Sequence, residues 1–99
     1  LIFDEVDAGI GGAVAAAVGR LLKQLGADRQ VLCVTHLPQV AARGDQHLLV
    51  SKLAGADGRP VCRIQALDRR ARIDEMARML GGAQITETTR KHARELLAS

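Results

Sequence analysis

Leu1-Ile2-Phe3-Asp4-Glu5, followed by Val6-Asp7-Ala8-Gly9-Ile10-Gly11-Gly12, is the stretch that decides the fold of this 99-residue chain. Three apolar residues of strand character run into the carboxylates of Asp4, Glu5 and Asp7, and three glycines then mark a turn. A helix is expected next. Val14, Val18, Leu21 and Leu25 recur at helical spacing as one apolar stripe, and Gly26 is expected to end it as a left-handed stop. Val31-Leu32-Cys33-Val34-Thr35 then reads as a second strand, apolar throughout, as suits a central parallel strand covered on both faces. Strand, helix, strand in that order predicts a right-handed crossover unit with its functional groups at the strand carboxyl ends. Asp4, Glu5, Thr35 and His36 all fall at those ends.

Further along, a short helix is expected from about Leu37 to Arg43, with Pro38 in its first turn. His47 to Leu53 and Pro60 to Leu67 flank Gly55-Ala56-Asp57-Gly58 and read as an antiparallel hairpin. Two helices complete the chain. Ile73, Met76, Ala77 and Leu80 share a face of the first, which Gly81 and Gly82 end, while Thr86 caps a second that buries Ala93, Leu96 and Leu97. No internal repeat or linker divides the sequence.

Composition narrows the function. Apolar residues make up 47% and charged residues 25%, the balance of a folded chain and not of a disordered one. Phe3 is the single aromatic residue, which disfavours nucleic-acid readers that stack bases on aromatic side chains. A net charge of +3 permits an anionic partner without requiring one. The uncharged stretch Ala8 to Gly19 is twelve residues long, against roughly 18 to 20 for a bilayer span, so no membrane partner is expected. Cys33 and Cys62, without C-x-x-C spacing or a secretory signal, suggest a reducing cytoplasmic setting and buried core cysteines.

Adjacent carboxylates at a strand tip repel one another, and a bound cation resolves the conflict. Mg2+ takes few carboxylates and completes its shell with waters and phosphate oxygens, which fits Asp4 as a direct or water-mediated ligand. Glu5 is then free to accept a proton from an attacking water. A solvated turn or helix cap would explain these acids equally well if they stood alone. The Thr35-His36 pair at the next strand end favours the phosphate reading, because it brings an imidazole to the same edge.

These motifs resemble those of the ABC-type ATPases. Leu1 to Glu5 is similar to their Walker B strand, Val6 to Gly12 to their D-loop region, and Val34-Thr35-His36 to their switch-histidine strand. DEVDAGIGGAVA from Asp4, VLCVTHLPQVAA from Val31, ARMLGG from Ala77 and ITETTRKHARELL from Ile85 are more specifically similar to the carboxy-terminal segment of the RecN-like family, bacterial SMC-like ATPases of DNA repair. The resemblance covers nearly the whole chain. It implies an α/β fold that is part of a P-loop NTPase head: parallel strands with a crossover helix, then an antiparallel hairpin and terminal helices. By the same resemblance, ATP and Mg2+ are the cofactors, Asp4 helps hold the ion, Glu5 polarises the hydrolytic water and His36 contacts the γ-phosphate region. Gly9, Gly11 and Gly12 would lie by the nucleotide at the interface of two heads, with Asp7 and Gln39 in supporting roles. The implied partners are the upstream half of the same head, a second head closing over ATP, and DNA bound by the parent protein in double-strand-break repair. The implied setting is the bacterial cytoplasm, at the nucleoid.

The sequence holds no G-x-x-x-x-G-K-[ST] and no Gly-Lys pair, so a phosphate-gripping loop is not encoded in these residues. An opening apolar strand without an initiator Met further suggests a cut made inside a domain. Leu80-Gly81-Gly82-Ala83-Gln84 looks like an ABC signature but follows the acidic strand instead of preceding it, and reads as a helix end. A dinucleotide-binding reading of Gly9-x-Gly11 fails at Val14, where Gly or Ala belongs. A zinc site from Cys33, His36, His47 and Cys62 is disfavoured because Cys33 and His36 point to opposite faces of a strand. The arginines from Arg69 to Arg78 and Arg90, Lys91 and Arg94 form either a DNA-facing surface or an ordinary solvated face interspersed with Asp74, Glu75 and Glu95. The alternative from another class is a non-catalytic interaction module that uses the same sheet to dock a partner.

Overall fold

A computed structural model describes residues 1–4, 9–82 and 84–99. Expectations that fall on Glu5, Val6, Asp7, Ala8 and Ala83 lie outside the described residues. The elements, in order, are β1 (Ile2–Asp4), α1 (Gly12–Leu25), β2 (Leu32–Val34), α2 (Pro38–Ala41), β3 (Leu48–Ala54), β4 (Pro60–Ala66), α3 (Arg69–Gly81) and α4 (Glu87–Ala98).

β1 and β2 pair in parallel with α1 as the crossover, in the register Ile2 to Leu32, Phe3 to Cys33 and Asp4 to Val34. Apolar runs without hairpin signals dictate this: a parallel neighbour requires a crossover, and α1 provides one. β3 and β4 form an antiparallel hairpin with Val50 opposite Ile64, closed by a loop in which Gly58 takes a φ of +80°.

Two expectations about coverage are corrected. β1 and β2 are not covered on both faces, since Ile2 is 76% exposed and Val34 50%. β2 has β1 as its one hydrogen-bonded neighbour among the described residues, leaving its other edge open, an invitation to association. The Val14–Leu21 side of α1 is also open, Leu21 being 59% exposed. α1 instead buries its small side, Ala15 and Gly19, against α2. A Cβ on Gly19 would stand 2.9 Å from the Gln39 carbonyl oxygen and 3.3 Å from the Val40 Cα, so the two helices touch backbone to backbone.

The helix ends follow local chemistry. Gly26 is not left-handed: its φ is −73°, and α1 closes by tightening, with the Ala27 N–H donating to the Gln24 carbonyl at 3.2 Å. Gly82 does take a positive φ, +76°, at the end of α3. Asp68 caps the start of α3 by accepting from the Ala71 N–H at 2.8 Å. Thr86 and Thr89 cap α4 reciprocally.

The core lies where α3 meets α4. Met76, Ala77 and Ala93 are fully buried with Ala42 beside them, and Ile73, Leu80, Leu96 and Leu97 pack around them. Arg72 fastens α3 to α2 and the loop that follows it, donating to the Ala41 carbonyl at 3.0 Å and the Gly44 carbonyl at 2.6 Å. Cys62 is exposed and Cys33 half-buried, so the expectation of two buried core cysteines fails at Cys62, which lies on a strand exposed along its whole length.

His47 opens the hairpin, and its Nδ1 is buried without a hydrogen-bond partner among the described residues. Burial, and then the Arg72 guanidinium, lower its pKa below the ordinary imidazole value, with Glu75 opposing. The unfolded chain therefore binds the proton more readily than the folded one, and stability falls as pH drops below about 6.5. Thermal melting followed between pH 7.5 and 5 should show that loss, and His47→Leu should flatten it.

Candidate functional site at the carboxyl edge of the parallel strands

Parallel pairing fixes the site. The register that sets Asp4 beside Val34 brings both strand carboxyl ends to one edge, and the next residues after Val34 are Thr35 and His36. The Asp4 carboxylate is exposed and makes no hydrogen bond or ion pair with the described residues. His36 is likewise exposed, in the turn between β2 and α2. Thr35 shapes that turn, its Oγ1 accepting from the Leu37 N–H at 3.0 Å. The sequence names Thr35 only as His36's neighbour, although Ser/Thr turns before a proline-led helix are a known local signal.

The glycine segment leads into α1, whose start faces Gln39 of α2. Gly9 has a φ of +77°, which a residue with a Cβ tolerates poorly. Gly11 is the N-cap of α1 in extended conformation, and no side chain caps the helix start. A Cβ on Gly11 would meet nothing within 4 Å, and one on Gly12 would meet the Gln39 amide nitrogen at 3.6 Å. Neither clash nor backbone conformation requires glycine at 11 or 12. Gln39 thus lies against the helix start, joining the β2–α2 turn to the glycine segment.

Asp4, His36, Gly9, Gly11 and Gly12 are therefore all exposed or lightly covered around the strand ends and the start of α1, while Glu5 and Asp7 lie outside the described residues. No cluster of three or more His, Cys, Asp or Glu able to hold a metal occurs among the described residues, so the four-residue zinc site does not form. A single unpartnered carboxylate at Asp4 fits Mg2+, which draws most of its shell from water and phosphate.

The basic residues divide. Arg90 is committed to Asp74 and Glu87, both at 3.0 Å, Arg78 pairs with Glu75, and Arg72 is a structural tie. For these three the solvated or structural account holds. The guanidinium groups of Arg69, Arg70 and Arg94 make no hydrogen bond or ion pair among the described residues.

The parallel pair joined by a crossover helix is similar in fold to part of an SMC-type ATPase head. A solved SMC ATPase, from work on ATP-driven dimerization and DNA-stimulated activation, superposes with a TM-score of 0.61 at 25% identity, covering 72% of this chain and 41% of that one. Within that class the chain is RecN-like over nearly its whole length. It is 57% identical to DNA repair protein RecN of Vibrio cholerae and 44% identical to that of Bacillus subtilis, each over 98% of the chain. To the Deinococcus radiodurans RecN it is 52% identical over 99% of the chain. The chain spans 17% of the length of each of these relatives. No protein-family model matches it. No helix among the described residues is long and apolar enough to cross a membrane.

Proposed function

We propose that this chain supplies the acidic strand end, D-loop and switch histidine of a RecN-like ATPase head that hydrolyses ATP in DNA double-strand-break repair. The observation that carries the reading is the parallel register of Asp4 with Val34, which sets the carboxylate and His36 at one edge. When bound, Mg2+ would supply neutralisation of the charge that develops on the transferred phosphoryl group. Asp4 holds the ion directly or through a water. Glu5 accepts the proton of the attacking water, and His36 offers its imidazole N–H to the terminal phosphate. Gly9, Gly11 and Gly12 lie where a second head closes over the nucleotide. Gly11 supports this: among the described residues neither a neighbour nor the backbone demands a glycine there, and a glycine permits close approach by another surface. The exposed apolar sides of β2 and α1 receive the half of the head that carries the phosphate-gripping loop.

Asp4→Asn tests the ion-holding role in this chain joined to a P-loop half of a RecN-like head. The Mg2+ concentration giving half-maximal ATP turnover should rise about 10- to 100-fold. An unshifted Mg2+ curve would remove Asp4 from the metal site.

A further inference from the structure

Two grooves flank the first turn of α3. One, of about 530 Å³, is bordered by Arg69, Arg70, Arg90 and Arg94 together with Asp74 and Glu87. The other, of about 480 Å³, is bordered by Arg69, Arg72, His47 and Asp45. Arg69 borders both, and the two together make up the surface around the first turn of α3. We propose that this surface is a track for the sugar-phosphate backbone of duplex DNA, held without reading of the bases. The inference deepens the DNA-repair reading above by placing the contact.

Charge is the first argument. In the larger groove Asp74 and Glu87 share Arg90, which leaves one residual negative charge against the unpaired guanidinium groups of Arg69, Arg70 and Arg94. Asp45, in the smaller groove, is paired with Lys23. Arg69 and Arg70 are also the first two residues of α3, whose first turn holds no acid. Cations there oppose the helix dipole, and an anionic partner would offset that repulsion.

The remaining chemistry selects the class of anion. A protein partner would favour an apolar centre rich in aromatic residues; neither groove holds an aromatic residue, the larger offering Ile73 alone and the smaller Ala66, Leu67 and Leu97. Single-stranded nucleic acid is held largely by base stacking, yet the sole aromatic residue, Phe3, sits on β1. Phosphate contacts from arginine suffice for duplex DNA, each neutralised phosphate adding about 0.9 to the salt slope.

Fluorescence anisotropy of a labelled mixed-sequence duplex, titrated with the 99-residue chain across a salt series and without nucleotide, tests the track. The triple variant Arg69→Ala/Arg70→Ala/Arg94→Ala should weaken binding roughly tenfold or more and flatten the salt slope by about 3. Replacing the same three residues by Lys should keep most of the binding. Arg20→Ala/Arg29→Ala/Arg59→Ala, which removes equal charge elsewhere, should lose less than threefold. Should the Ala triple melt early, Arg94→Gln alone carries the test, its slope falling by about 1. Equal losses in the two Ala triples, an unchanged slope, or equal competition by polyglutamate or a single strand would overturn the proposal. Because nucleotide is absent, a failure here is distinct from a failure of ATP turnover.

Discussion

Glu5→Gln, introduced into this chain joined to a P-loop half, should leave ATP bound and slow its turnover about 10²- to 10⁴-fold, or roughly 3 to 5 kcal/mol of barrier. The amide retains the shape of the carboxylate and a hydrogen bond to the water, but it does not take the proton. Binding and turnover therefore separate: nucleotide affinity, read by a fluorescent ATP analogue, stays near its starting value while steady-state phosphate release collapses. His36→Ala should produce a smaller loss, since it removes a contact to the terminal phosphate and leaves the base in place. Undiminished turnover in Glu5→Gln would strip Glu5 of its role.

Met76→Ala should have the largest effect on stability. Met76 is 0% exposed and is the one large side chain buried so completely among the described residues, in a core otherwise built mostly from alanines. Removing it costs about 2 to 5 kcal/mol, which approaches the whole stability of many small domains. Circular dichroism should show the melting midpoint falling by roughly 10 °C or more, or cooperative melting disappearing. Val14→Ala, on the open side of α1, makes a useful contrast. In the isolated chain it should change stability by less than about 0.5 kcal/mol. In the joined protein, where the proposed neighbour covers that side, its cost should grow. A Met76→Ala chain that melts like the parent would refute this account of the core.

Much of this architecture is legible in the residues themselves. The apolar run ending at Asp4, the glycines and the run ending at Val34 predict a strand, a crossover helix and a parallel strand, and the pairing observed has that order and direction. Pattern alone also identifies the faces that carry Met76, Ala77 and Ala93. Periodicity tells which side of an element is apolar and is silent on whether the chain itself covers that side. Val14, Leu21, Ile2 and Val34 therefore read as core in the sequence and are exposed in the structure.

Close approach escapes the sequence for a related reason. Nothing in the helical pattern marks Gly19 as a contact point, yet α2 lies against it. Gly26 and Gly82 are alike in sequence, but one helix ends by a tightened turn and the other by a left-handed residue. At the site, strand-end chemistry leads to Asp4 and His36, because a parallel register leaves their edge no freedom. The turn held by Thr35 and the separation of Arg69, Arg70 and Arg94 from their paired neighbours depend on side-chain positions that spacing does not encode.

The central claim is that the carboxylates at the first strand end serve a nucleotide gripped by residues outside these 99. ATP turnover measured for the chain alone, for a RecN-like P-loop half alone and for the two joined tests it most directly. The account predicts Mg2+-dependent turnover in the joined protein and none in either part. Turnover by the isolated chain, or joined turnover that persists when Mg2+ is removed, would contradict it.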